Sequence, residues 1–256
     1  MNVTPPQIPV QPAPLEYPLQ NLADALIGPN RAKMVALGSS TTAGEGGIVA
    51  YPYRLEAALR DKYKNPTIDV LNRGVGGEEA PKELDRMDRD VIAEKPHLVI
   101  WQVGTNSVWQ GAADNPPSQQ KTIAALRKGI DQLRAAGKID IILMDLQFVP
   151  ALLTPATSKA TNTMVRAIER VAREKKVNLF QRFKLMKAWH ELERISFDRM
   201  VDPTDEYRLH DSDWATQQLT VALSKVIVDA VDRVWSPQKD TPPKKTAFAS
   251  SRPGKH

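Results

Sequence analysis

Met34-Val-Ala-Leu-Gly-Ser-Ser-Thr-Thr-Ala-Gly44 is an apolar run that breaks into a cluster of small residues. The run has strand length and stops at Gly38, so a strand is expected over 33–37 with a turn after it. Ser39 and Ser40 then stand at the C-terminal edge of a sheet, where open α/β proteins place their chemistry. A serine in that position fills a turn, binds a phosphate or acts as a nucleophile.

The segments on either side build an alternating pattern. Leu55, Leu59 and Tyr63 share one helical face and predict a helix over 51–63. A second strand is expected over 67–71, ending in Asn72-Arg-Gly-Val-Gly-Gly77, and a polar helix over 80–94. His97-Leu-Val-Ile-Trp-Gln-Val103 is almost wholly apolar, as a central parallel strand covered on both faces should be. It ends in Gly104-Thr-Asn106. Ser118 is a candidate cap for a helix carrying Ile123, Leu126, Ile130 and Leu133. A fourth strand is expected over 139–144, a helix over 158–175, a short strand over 177–180, a helical stretch over 183–192 and a last helix over 212–234. This β-α alternation predicts a three-layer α/β/α, flavodoxin-like sandwich with a central parallel sheet and right-handed crossovers. Residues 1–20 hold six prolines and read as an extension lying along the surface or disordered. Residues 21–234 read as the domain, and 235–256 as a basic, disordered tail.

Composition narrows the function. Hydrophobic residues make up 41% and charged residues 25% of the 256, ordinary for a soluble globular chain. There is no cysteine, which excludes disulfides, thiolate metal sites and cysteine nucleophiles. The net charge is +5 and the pI about 9.3. Lys239, Lys244, Lys245, Arg252 and Lys255 face only Asp240 in the tail, so the basicity belongs to the tail and a nucleic-acid partner is not expected. No apolar run reaches membrane-spanning length, and no signal peptide is visible. Compartment stays open, since removal of a leader would allow a secreted or periplasmic location. Four scattered histidines offer no metal-ligand spacing, and no phosphate-binding glycine motif follows the first strand; neither metal nor cofactor is expected.

Three strand ends therefore bring a serine, a glycine pair and an asparagine to one edge of the sheet. A serine nucleophile needs a base and donors for the oxyanion it creates. Gly77 offers a backbone N–H, Asn106 an amide, and His210, at the entrance of the last helix, a base within reach of Ser40. His97 and His190 read as structural. Asp145 reads as a loop or pocket residue. The loop Phe148-Val-Pro-Ala-Leu-Leu153 with Trp109 either lines an acyl pocket or packs beneath the loop.

These segments resemble the SGNH (GDSL-type) hydrolases: Gly38-Ser-Ser40-Thr-Thr-Ala-Gly44 their first block, Asn72-Arg-Gly-Val-Gly-Gly77 their second, Gly104-Thr-Asn106 their third, and His210 the histidine of their fifth. The resemblance covers about residues 33 to 233. It implies Ser40 as nucleophile, His210 as base, and an oxyanion hole of the Ser40 amide, Gly77 amide and Asn106 side chain. It implies a serine hydrolase of carboxylic esters, with a small acyl ester or acylated glycan as substrate. Two positions depart from the pattern. Ser39 stands where the family has an aspartate before the nucleophile; the spacing of Gly38 and Gly44 selects Ser40. Tyr207 stands where the family has its acid. Asp205 is the first candidate to replace it, with Asp202 and Glu206 as others, or a Ser–His pair oriented by a backbone carbonyl. That departure motivates a second reading, a non-catalytic module binding an acylated glycan; an acyltransferase on the same scaffold is a third.

Overall fold

The computed structural model describes residues 10–28, 31–109 and 116–236. Its centre is a five-stranded parallel sheet of β1 (Lys33–Gly38), β2 (Asp69–Gly74), β3 (Leu98–Gln102), β4 (Asp140–Met144) and β5 (Asn178–Phe180), in the order β2-β1-β3-β4-β5. This is the flavodoxin-like order, so the topological switch point lies between β1 and β3. Their side chains from Met34 to Leu37 and from Leu98 to Trp101 have no exposed surface. Such burial on both faces is why these strands read as continuous apolar runs.

Helices cover both faces. α1 (Gln20–Ile27) and α3 (Tyr51–Tyr63) pack with the last helix, α11 (Asp213–Trp235), on one side; α2 (Ser40–Ala43) caps the end of β1. On the other side α4 (Ala80–Asp85) packs on α7 (Pro116–Ala136), and α7 on α8 (Ser158–Lys175). Shorter pieces complete the fold: α5 (Met87–Asp90), α6 (Thr105–Trp109), α9 (Arg182–Glu191) and α10 (Phe197–Met200). No helix among the described residues is long and apolar enough to cross a membrane.

Several boundaries differ from the sequence pattern for local reasons. β2 starts at Asp69, because Asn65 Oδ1 holds Thr67 through its amide (2.9 Å) and hydroxyl (2.7 Å) in a turn. It then continues through Asn72-Arg-Gly74, which the pattern places in a loop. The expected helix over 80–94 is broken at Arg86, whose guanidinium turns inward to Glu78 (2.7 Å), Asp90 (3.1 Å) and the Gly38 carbonyl (3.2 Å). Ser118 does not cap α7, which begins two residues earlier; its hydroxyl donates to Glu79 at 2.6 Å. Ser212 does cap α11, accepting from the Ala215 amide at 3.1 Å.

Residues 10–19 lie along the body. Tyr17 and Asn178 exchange hydrogen bonds of 2.8 and 3.0 Å, and Leu15 and Leu19 are buried. The segment thereby covers edge strand β5, which would otherwise present unpaired backbone groups. Residues 1–9 and 237–256, and with them the first part of the Pro-rich extension and most of the basic tail, lie outside the described residues.

One buried carboxyl links the sheet to α4 and has a measurable consequence. Glu83 accepts from Trp101 Nε1 at 2.7 Å and is nearly inaccessible. Burial pushes its carboxyl up to about 8, against the opposing pull of the Trp101 bond and of Arg86. The folded state thus holds a proton that the unfolded chain releases above its ordinary value, and stability falls as pH rises from there toward 8. Glu83→Gln keeps an acceptor for Trp101 and removes the proton. Urea unfolding of the variant is expected to match wild type near pH 4.5 and exceed it by about 4 kcal/mol at pH 8. A difference that stays constant with pH would contradict the raised carboxyl.

Candidate active site

The turn after β1 is built around a missing side chain. A Cβ on Gly38 would stand 2.4 Å from Thr42 Oγ1 and 2.9 Å from Gln102 Oε1, so only glycine fits this approach. Gln102 Oε1, at the end of β3, accepts from the Ser39 amide (3.1 Å), the Ser39 hydroxyl (3.3 Å) and Thr42 (3.2 Å). Ser39 is therefore spent on the neighbouring strand. The chain goes straight from it into α2, and Ser40 begins that helix with its Oγ 3.0 Å from His210 Nε2.

His210 comes from the loop between α10 and α11. The ends of this loop are tied by the Val201–Asp211 bridge and by the Asp202 amide donating to the His210 carbonyl at 3.0 Å. Its hub is Asp205. Oδ1 accepts from the Tyr207 amide (3.0 Å); Oδ2 accepts from the amides of Leu209 (2.8 Å) and His210 (2.7 Å) and meets His210 Nδ1 at 2.9 Å. Burial raises the Asp205 carboxyl, but the amides of His210 and Leu209, then the His210 ring and the Tyr207 amide, outweigh it and hold the group below the ordinary carboxylate range. An ionised carboxylate only accepts, so Nδ1 donates and Nε2 is left to accept the Ser40 hydroxyl proton. Asp202 is engaged with Thr204 through two 2.8 Å bonds, and Glu206 is exposed. Tyr207 is also on the surface, 65% exposed, its ring edge-on to Trp109 at 5.5 Å.

The other two residues singled out from sequence lie on neighbouring strand ends. Gly77, after β2, has φ of +75°, a conformation that favours glycine. Asn106 is buried at the start of α6 and donates one amide proton to the Glu78 carbonyl at 2.8 Å, which ties the β2 and β3 turns together. A side-chain amide carries two such protons. Glu45, which the sequence did not mark, lines the same pocket as Ser40, Thr41, Ile48 and His210. Its Oε2 is 3.7 Å from His210 Nε2, and a Cβ on Gly76 would overlap its Oε1. The imidazole thus sits between two carboxylates, one buried and one near solvent.

Asp145 is buried at the end of β4, where it accepts from the Phe183 amide at 2.9 Å at the start of α9; burial pushes its carboxyl up to about 7. The loop 148–153 packs largely into the core, Phe148 against Phe183 and Phe197. His97 accepts from the Lys33 amide and His190 stacks on Phe197. Gln102, which closes β3, and Gln147, in the loop after β4, are both buried and escaped the sequence reading; a polar side chain closing an apolar parallel strand is the signal that points to Gln102.

Fold and site together have the form of an SGNH-type hydrolase. The chain belongs to the non-GDSL lipase-like family, whose model it matches over residues 5–233. It is 28% identical over 159 residues to an acetylxylan esterase of Geobacillus stearothermophilus, covering 60% of this chain and 70% of that one. The crystal structure of an acetylxylan esterase from the same organism superimposes with a TM-score of 0.60 at 21% identity, over 79% of this chain and 94% of that chain. A Desulfitobacterium hafniense structure described as a lipolytic protein of the G-D-S-L family gives 0.59 at 19% identity, over 77% and 99%. The solved structures of the Geobacillus esterase include catalytic mutants in which a serine, a histidine and an aspartate are each replaced by alanine.

Proposed function

We propose that this protein is a carboxylic ester hydrolase acting through an acyl-serine intermediate, with an acylated carbohydrate as its substrate. The continuous chain from Ser40 Oγ through His210 to Asp205 Oδ2, at 3.0 and 2.9 Å, carries the reading. Ser40 Oγ attacks the ester carbonyl carbon while its proton passes to His210 Nε2. The oxyanion is held by the Ser40 and Gly77 amides and the Asn106 side chain. Collapse expels the alcohol, which takes the proton from His210 and leaves an ester on Ser40. Water then gives a proton to His210 and attacks that ester; collapse releases the acid as His210 returns the proton to Ser40 Oγ. Asp205 holds the imidazole in the required tautomer and balances the charge of the imidazolium.

A carbohydrate substrate is supported by the acetylxylan esterase similarity and by the rim. Tyr207 and Trp109 stand within three residues of His210 and Asn106, and aromatic faces suit the apolar face of a sugar ring. Because Asp205 meets His210 Nδ1, the departure at Tyr207 no longer motivates a non-catalytic module. Two measurements test the reading. A fluorophosphonate probe is expected to label Ser40 stoichiometrically, and no labelling would exclude the nucleophile. Tyr207→Ala is expected to lower kcat/KM on acetylated xylooligosaccharides about tenfold and to leave p-nitrophenyl acetate unchanged; equal loss on both would remove the sugar contact.

A further inference from the structure

Behind the site, one side chain reaches both neighbours of His210. Arg182, at the first turn of α9, has no exposed surface. Its Nε donates to the Asp145 carbonyl at 3.0 Å and its Nη2 to Gln147 Oε1 at 2.7 Å. Gln147 passes the contact on, its Nε2 donating to the Leu209 carbonyl at 3.0 Å. The same Oε1 accepts from Thr105 at 2.8 Å, the residue before Asn106. On the other side of His210, Arg182 Nη1 stands 3.6 Å from Asp211 Oδ2, too far for a direct hydrogen bond. Nη1 and both Asp211 oxygens are buried with no hydrogen-bond partner among the described residues. They line a cavity of about 10 Å³ with Thr41, Tyr51 and Thr216, room for about one water in contact with the residue after the nucleophile.

Burying a guanidinium costs several kcal/mol. What it does is hold residues 209 and 211 against the end of β4 while Thr105 is drawn to the same amide. The loop between α10 and α11 is also tied to the body by the Ala151 amide, which donates to the Arg208 carbonyl at 3.4 Å, but the Gln147 bond is the one at the residue beside His210, whose ring stands 3.0 Å from Ser40. We propose that Arg182, acting through Gln147, is a positioning residue that sets the place of His210 relative to Ser40 and ties it to the Asn106 turn. This rests on the reading of Ser40 and His210 as nucleophile and base.

Two substitutions test it. Gln147→Glu keeps the acceptor for Arg182 and Thr105 and removes the donor to the Leu209 carbonyl. Arg182→Lys keeps the charge beside Asp211 and loses the fork. Each is expected to lower kcat on p-nitrophenyl acetate about 10- to 100-fold per site titrated with fluorophosphonate, with KM within about threefold, because misplacement of a base by about 1 Å costs on that order. Circular dichroism and the melting temperature report the fold separately. Native variants with kcat within twofold of wild type would overturn the proposal. So would failure of both to fold, which would assign the cluster to stability alone; if one folds, its kcat decides. Absence of labelling at Ser40 in the wild type would instead remove the underlying reading.

Discussion

Ser40→Ala is expected to abolish ester turnover, lowering kcat by on the order of 10⁶-fold, as removal of a nucleophile from an interdependent triad does. The effect is large because nothing nearby can substitute. Ser39, the adjacent hydroxyl, is held by Gln102 Oε1 on the neighbouring strand and precedes the helix that presents Ser40. Ser39→Ala is therefore expected to leave kcat within about tenfold of wild type, the cost being one buried hydrogen bond. Activity against p-nitrophenyl acetate, with the folded fraction checked by circular dichroism, makes the comparison. If Ser39→Ala were the dead variant and Ser40→Ala the active one, the assignment of the nucleophile would be reversed.

The second large effect belongs to Asp205. Asp205→Ala removes the acceptor for the His210 ring and for three backbone amides at once. Loss of the acid in a triad costs about 10⁴-fold in kcat through the wrong tautomer of the base. The three unpaired amides add a stability loss of about 2–3 kcal/mol. The pH dependence has a definite sign. The folded-state carboxyl is held below its ordinary value, so its contribution to stability is complete above the ordinary carboxylate range and is lost as pH falls through the depressed value. The gap in unfolding free energy between wild type and variant is thus widest near neutral pH and closes on acidification. Asp202→Ala and Glu206→Ala are expected to have small effects on kcat, since Asp202 is engaged with Thr204 and it is Asp205 that meets the imidazole. Adding Tyr207→Asp to Asp205→Ala is expected not to restore activity, because position 207 faces solvent and Trp109. Recovery in that double variant would show that the loop can adopt the spacing seen in the wider family.

The parts of this fold that were legible share a physical cause. Strands buried on both faces must be apolar throughout, so Met34–Leu37 and His97–Val103 announce themselves as central strands. Helices with one buried face must repeat at 3.6 residues, so α3 and α8 begin and end where the pattern predicts. A strand end that must admit a close backbone or a positive φ needs glycine, so the turns at Gly38 and Gly77 were visible too. Ser40, Gly77 and Asn106 could be named because each sits beside such punctuation, and His210 because it stands next to an acidic cluster and a helix start.

Other features are set by contacts between segments far apart in the chain. The break at Arg86 is invisible to helical periodicity, because its cause is the Gly38 carbonyl on another strand. What tells Ser39 from Ser40 in the structure is Gln102, which reaches over from β3 to bond Ser39. Gln147, in the loop after β4, and Arg182, on α9, meet the histidine loop from more than twenty residues away in sequence.

The sequence alone determined the layered α/β class, the strand ends that gather chemistry at one edge and the candidate nucleophile, because burial, periodicity and glycine turns are local demands on residue type. Only the tertiary structure decided which carboxylate meets His210. Asp202, Asp205 and Glu206 are chemically near-equivalent and lie within a few residues of one another. What separates them is the path of the loop. It turns the amides of residues 207, 209 and 210 onto Asp205, and a path closed by several simultaneous hydrogen bonds has no signature in residue type or spacing.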